Sequence, residues 1–357
     1  MTTATLDLEK VGAFAQQVGG MLAGGATAAM MVVGDRTGLY AALAASGPLT
    51  PAQLAGETGT AERYVREWLA QQAAVGFVTY DPAAGTFTLP PEHAAVLASD
   101  DSPASMIGAA PQISGMHRRT DQLIEAFRSG AGIPWGDQDQ STFEGTERFF
   151  RVGYRNSLVR EWIPALDGVH ERLRAGARVV DVGTGHGAPL LLLAEAYPNS
   201  QFVGYDVHPA SIETANQRAA DAGVSDRVRF EVSFAQGYPD RDVDVVTFFD
   251  AFHDLGDPVG AATHARRALA DGGTLVLVEP RSADDLATTL GTVPMAAIGF
   301  AASTFLCTPN SLSQPVGLAL GALSGEARLR EVLTEAGYSA IRRATENDFN
   351  MVIEARP

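Results

Sequence analysis

The chain has 357 residues, and at ~100–200 residues per domain that length implies two domains or three. Hydrophobic residues make up 46% and charged residues 19%, enough apolar material for a sizeable core and too little charge for a disordered chain. The net charge of −16 and the single cysteine, Cys307, exclude a basic phosphate-coating protein, an intramolecular disulfide framework and a multi-cysteine zinc centre.

Residues 10–45 read as helical, with Phe14, Val18, Met21 and Leu22 on one face and Gly20, Gly24 and Gly25 allowing close helix contact. The apolar stretch 19–33 is too short to span a bilayer, so a buried or dimer-forming helix is expected. Thr50-Pro51 is an N-cap followed by a helix-starting proline, and Gly59 ends that helix. A second helix carries Tyr64, Val65, Trp68, Leu69 and Ala73, and residues 76–80 and 86–89 flank a turn as a β-hairpin. Helix, turn, helix and hairpin together make a winged helix. Residues 50–98 hold only two basic residues, Arg63 and Arg66, against five acidic ones, so a dimerisation or lid domain is expected rather than a DNA reader. Residues 100–175 read as helical connections with a loop at 133–137.

The second half alternates strands and helices. Strands are expected at 178–182, 201–206, 228–232, 243–249 and 274–278, with helices at 188–197, 209–222 and 258–270 between them. That alternation gives a parallel sheet covered on both faces. After an irregular stretch, a helix at 326–336 precedes two closing strands, 339–345 and 350–355, joined as an antiparallel hairpin. The fold class is therefore α/β, with a helical winged-helix domain before it. The expected division is 1–110 for the winged helix, 111–170 for a helical linker and pocket lid, and 171–357 for the cofactor-binding domain.

The first strand of that sheet runs into Gly183-Thr184-Gly185-His186-Gly187. Glycines there let the backbone approach a ligand, and the following helix offers unpaired N–H groups. Asp206 ends the next strand, where a carboxylate can accept both hydroxyls of a ribose. The glycine spacing also satisfies the loose dinucleotide fingerprint, so a nicotinamide oxidoreductase stays open. Asp181, two residues before the first glycine, and Gly187 favour S-adenosylmethionine. The resulting D-x-G-x-G-x-G resembles motif I of class I methyltransferases, which also end in an antiparallel hairpin.

After the fourth strand, Phe252-His253-Asp254-Leu255-Gly256-Asp257-Pro258 resembles the H-D-W-x-D segment of plant-type small-molecule O-methyltransferases, with Leu255 in place of Trp. The winged helix before a methyltransferase domain is also their layout. The chain is most similar to bacterial class I methyltransferases with a winged-helix N-terminus, on segments 133–137, 143–150, 181–187, 248–258, 307–314 and 349–357. The resemblance implies S-adenosylmethionine as cofactor, a small-molecule acceptor, a homodimer, and His253 as the general base for the acceptor hydroxyl. In the insert after the fifth strand the family's polar Asn- and Arg-containing stretch is replaced by Gly291-Thr-Val-Pro294-Met-Ala-Ala297, which implies a more apolar acceptor pocket.

Candidate cofactor contacts are Asp181, Gly183, Gly185, Gly187, Asp206, Phe234, Ala235 and Asp250. Phe234 is placed to stack on adenine, beside the backbone of Ala235. His253 is the main catalytic candidate, since an imidazole can take a proton near neutrality. Glu279, ending the fifth strand, can bind an acceptor group or anchor a loop. Asp254 can orient His253 or cap the next helix, and capping is the preferred reading. His117, Trp135, Phe143 and Phe300 are acceptor-pocket candidates. Cys307 has no basic neighbour in sequence and is assigned to structure. No His/Cys/Asp spacing supports a metal site. Expected partners are a small-molecule substrate and a second copy of the chain, with no nucleic acid and no membrane; the expected location is the cytoplasm. A ligand-sensing transcriptional regulator and a methyltransferase fold with non-methyl-transfer chemistry remain alternatives.

Overall fold

The computed structural model describes residues 6–357, and these group into two compact units. The first contains the chain up to Gly115 together with Gln140–Val152; the second contains Met116–Asp139 and Gly153–Pro357.

The first unit opens on a helix, Leu8–Arg36, capped by Asp7, whose side chain accepts from the Glu9 and Lys10 amides. It is 29 residues long, so its length and apolar character would suffice to cross a bilayer, and the shorter span expected from 19–33 is corrected. The expectation of burial is met only near its C-terminal end. Phe14, Met21 and Leu22 are exposed, whereas Val32 and Gly34 pack against the unit's core. A Cβ at Gly34 would meet Trp68 at 2.5 Å, which explains the glycine there.

Pro51–Thr58 carries a complete capping box: Thr50 Oγ1 accepts from the Gln53 amide, while Gln53 Oε1 accepts from the Thr50 amide. Glu62–Ala74 follows, then β1 (Thr79–Asp81) and β2 (Thr86–Thr88), an antiparallel pair. This is the expected winged helix. Val65, Trp68 and Leu69 are buried in a core with Tyr40, Leu43, Leu54 and Phe87, but Tyr64 is 81% exposed and lies outside it. The helix Gln140–Gly153 contributes Arg148, whose guanidinium takes Asp35 and Asp100 together.

The second unit is built on seven strands: β3 (Arg178–Val182), β4 (Gln201–Asp206), β5 (Val228–Val232), β6 (Val243–Phe249), β7 (Leu269–Pro280), β8 (Ala340–Glu346) and β9 (Asn350–Arg356). Their spatial order is β5-β4-β3-β6-β7-β9-β8, parallel from β5 to β7 and antiparallel at β9 and β8. β7 is longer than expected because residues 269–273 continue it past Gly272 and Gly273. The stretch between β7 and the last helix is largely helical up to Leu312, and only residues 313–324 remain irregular as expected. It folds as Leu286–Thr292, Ala296–Ala302, a π-helical turn Ser303–Cys307 and Thr308–Leu312. Strand order reverses between β3 and β6, so the carboxyl ends of these strands meet at a switch point, where open α/β sheets bind ligands.

Candidate active site

β3 is an apolar strand that ends in the loop Gly183–Gly187, and the helix Ala188–Ala196 starts directly after it. Gly183, Gly185 and Gly187 all have positive φ, at 76°, 53° and 79°. Their surroundings differ. A Cβ at Gly183 would meet Ala251 at 2.5 Å and one at Gly187 would meet Phe230 at 2.5 Å, so both serve close packing. A Cβ at Gly185 would meet nothing within 4 Å. The loop is therefore packed at both ends and open at its middle, as a backbone cradle for a ligand requires.

Asp206 holds that cradle in shape. Its Oδ2 accepts from the Gly185 amide at 2.9 Å and its Oδ1 from the His208 amide at 2.9 Å. Burial raises the Asp206 pKa, and these amides oppose the shift. A carboxylate has about four acceptor positions, so two amides leave capacity for ligand hydroxyls. His208 Nδ1 pairs with Ser211 Oγ at 2.8 Å, within the same turn.

Three further carboxylates line the strand ends. Asp181 is fully buried; its Oδ1 accepts from Thr247 Oγ1 at 2.8 Å, and burial pushes its pKa up to about 7. Asp250 follows β6 with φ at 51°, a left-handed backbone uncommon for a residue with a side chain. Its two oxygens accept from Tyr154 Oη at 2.8 Å and from Asn350 Nδ2 at 2.7 Å. Burial, with Glu279 adding to it, pushes its pKa up to about 7. Tyr154 and Asn350 were not visible as site residues in the sequence. Each lies about a hundred positions from Asp250; Tyr154 belongs to no motif, and Asn350 lies in the segment 349–357 without being singled out there.

Glu279, at the end of β7, is 1% exposed. Its Oε1 accepts from the Phe252 amide at 3.0 Å and its Oε2 lies 2.5 Å from His253 Nδ1. It thus anchors a loop and orients the imidazole. His253 is 4% exposed, and its Nε2 faces Asp254 Oδ1 at 3.2 Å. Burial pulls the imidazole pKa down, but the Glu279 and Asp254 carboxylates outweigh it and hold His253 well above its ordinary value.

Asp254 does not cap the next helix, as expected from sequence. Asp257 does, accepting from the Gly260 amide at 2.8 Å, because it sits directly before Pro258. Asp254 instead joins His253 and Cys307, whose donor atoms lie within 4.8 Å of one another. Cys307 thus gains in the fold the imidazole neighbour it lacks in sequence. Burial pushes its thiol up to about 12.

Phe234 is 73% exposed and Ala235 is buried, at the carboxyl end of β5. Trp135 is half-buried, with its amide donating to Asn310 Oδ1 at 3.0 Å; Phe300 is half-buried in the insert and His117 is exposed. All three belong to the second unit, while Phe143 is buried in the first.

Residues 25–99 match the family described as the Rv2258c-like winged HTH domain, and residues 173–337 match a methyltransferase domain family. The 27-O-demethylrifamycin SV methyltransferase of Amycolatopsis mediterranei is 38% identical over 107 residues, covering 29% of this chain and 39% of that protein. The demethylmenaquinone methyltransferase of Thermus thermophilus is 33% identical over 106 residues, 30% of this chain and 48% of that protein. The chain thus spans less than half the length of these curated relatives. Among solved structures, mitomycin 7-O-methyltransferase superposes with a TM-score of 0.72 at 20% identity, covering 98% of this chain and 100% of that one. Human N-acetylserotonin methyltransferase, in complex with S-adenosylmethionine, gives 0.68 at 17% identity, covering 100% of this chain and 99% of that one. These structures share the fold. Residues 25–99 thus match a winged helix-turn-helix family and residues 173–337 a methyltransferase domain family, on a fold that the chain shares with these methyltransferase structures.

Proposed function

We propose that the protein transfers a methyl group from S-adenosylmethionine to an oxygen or nitrogen of a small-molecule acceptor. The observation that carries this reading is the glycine cradle: open at Gly185, packed at Gly183 and Gly187, and pinned by Asp206. The residues present fit the cofactor. Asp206 has acceptor capacity for two ribose hydroxyls, Phe234 offers an exposed face to adenine beside the Ala235 backbone, and Asp250 offers a carboxylate to the methionine ammonium. Asp181, fully buried, orients the loop. Bound S-adenosylmethionine supplies a methyl group on a positively charged sulfur.

The remaining chemistry falls to the chain's own side chains. Methyl transfer needs close approach and alignment, and a base only when the nucleophile must lose a proton. His253 Nε2 is the atom for that proton, with Glu279 fixing the ring through Nδ1. For Nε2 to accept, the ring must be neutral and Asp254 must release it. Because two carboxylates raise the imidazole, turnover rises with pH through an apparent pKa well above 6.5. In Glu279→Gln that limb moves toward lower pH. His253→Ala keeps cofactor affinity and loses most turnover. Wild-type turnover in His253→Ala, or a pH limb unmoved by Glu279→Gln, removes His253 from this role.

Exposed Leu290 and Ile298 on the insert helices, which also carry the candidate Phe300, support an acceptor with an apolar body. The partner reading is a homodimer formed through the exposed apolar part of Leu8–Arg36, in the cytoplasm. Nucleic acid is not the partner we favour. On Glu62–Ala74, Arg63 pairs with Glu67 at 2.5 Å and Arg66 pairs with Glu62, which leaves little positive field for phosphates.

A further inference from the structure

Cys307 takes no part in the proton chemistry above, yet it sits in the same cluster. His253 and Asp254 come from the short turn Phe252–Asp254 after β6, while Cys307 ends the π-helical turn Ser303–Cys307 of the insert. Their donor atoms converge within 4.8 Å, and His253 and Cys307 are both buried.

Three features of this convergence suit a cation. His253 Nδ1 is committed to Glu279, so Nε2 is the nitrogen turned to the cluster. A carboxylate on the far nitrogen is the usual support of a metal-binding histidine, fixing its tautomer and raising its donor strength. Asp254 Oδ1 is shielded from solvent and lies 3.2 Å from Nε2, and the Asp254 side chain also meets the Cys307 thiol, so the three candidate ligands face one another. Zinc bonds of about 2.0–2.3 Å place tetrahedral ligand atoms roughly 3.3–3.8 Å apart, so the observed spacing closes on an ion with shifts of about 1 Å or less.

The geometry points to a divalent-cation site made of His253 Nε2, an Asp254 oxygen and Cys307 Sγ. One nitrogen, one oxygen and one sulfur donor select a zinc-class ion over magnesium or calcium, which take oxygen sets. Three protein ligands leave a fourth position for water or another oxygen ligand. The thiol loses its proton to solvent as the metal–sulfur bond forms, since a coordinating thiol is deprotonated outright. An ion and a proton exclude each other at Nε2, so occupancy withdraws His253 from proton transfer. The site itself stands on the side-chain geometry and does not depend on the methyl-transfer reading.

The test is a titration of the metal-free full chain with Co²⁺, followed by absorption. The expected result is one equivalent bound per chain, with tetrahedral visible bands and a thiolate-to-cobalt band in the near ultraviolet. The chain has one cysteine, so that band reports Cys307 without any substitution. One equivalent of Zn²⁺ should abolish the spectrum, and a large excess of Mg²⁺ should leave it intact. Cys307→Ser should remove the near-ultraviolet band. Failure to bind Co²⁺, binding without the thiolate band, or displacement by Mg²⁺ would overturn the site.

Discussion

At the scale of single residues, glycines with similar backbone angles have different jobs. Gly187 packs on Phe230, so Gly187→Ala forces an overpacked contact as well as a strained positive φ, and should lower stability by roughly 1–3 kcal/mol. Gly185 has open space around it, so a side chain there meets the ligand and not the protein. Gly185→Ala shares the positive-φ strain but lacks the overpacked contact, so it should destabilise less than Gly187→Ala while weakening binding of S-adenosylhomocysteine. Thermal melts and calorimetry on the two variants separate these effects; the reverse pattern would mean the cradle is misassigned. The glycines and Asp206 were legible because backbone approach restricts residue type at fixed spacing. Tyr154, Asn350 and Thr247 were not, because a hydrogen bond to a distant carboxylate imposes no local pattern. Of the two roles read for Asp254, the cap falls to Asp257, because two acidic residues precede Pro258 and only the geometry separates them, while Asp254 lies against His253.

At the scale of elements, legibility followed the strength of the local signal. β3 to β6 were clear from apolar β-branched runs, and Thr50-Pro51 from its cap chemistry. The insert helices between β7 and the closing helix were not, because they are short and two proceed through a π-helical turn, which carries no distinctive period. The helix Gln140–Gly153 shows what holds an element without a long apolar stripe. Its Arg148 takes Asp35 at 2.7 Å and Asp100 at 2.8 Å, and the paired carboxylates raise the guanidinium pKa further. Arg148→Met removes the one cation shared by both acids. Removing one partner from a fully buried ion pair costs about 3–5 kcal/mol, and partial exposure here reduces the expected loss to roughly 2 kcal/mol. Denaturant unfolding measures it; an unchanged midpoint would show that the network adds no net stability.

At the scale of the whole molecule, the sequence distinguishes a winged-helix half from an α/β half by the change in pattern alone. It cannot show that residues 140–152 belong with the first unit while 116–139 belong with the second, since that grouping depends on packing between distant segments. The exposed apolar residues of Leu8–Arg36 are the strongest whole-molecule signal for self-association. Phe14→Glu with Leu22→Glu should convert a dimer to a monomer in sedimentation while leaving the core of the first unit intact, because both side chains are exposed in the single chain. A monomeric wild type, or a dimer that survives the double substitution, would reject this interface.

The proposed methyl transfer requires that the loop from Gly183 to Gly187, with Asp206, bind S-adenosylmethionine. Calorimetric titration of the full chain with S-adenosylhomocysteine, with NAD as the control, tests it most directly. Saturable binding of S-adenosylhomocysteine at one site per chain, and none of NAD, is the expected result. No binding, or a preference for NAD, would contradict the cofactor assignment and the proposed methyl transfer with it.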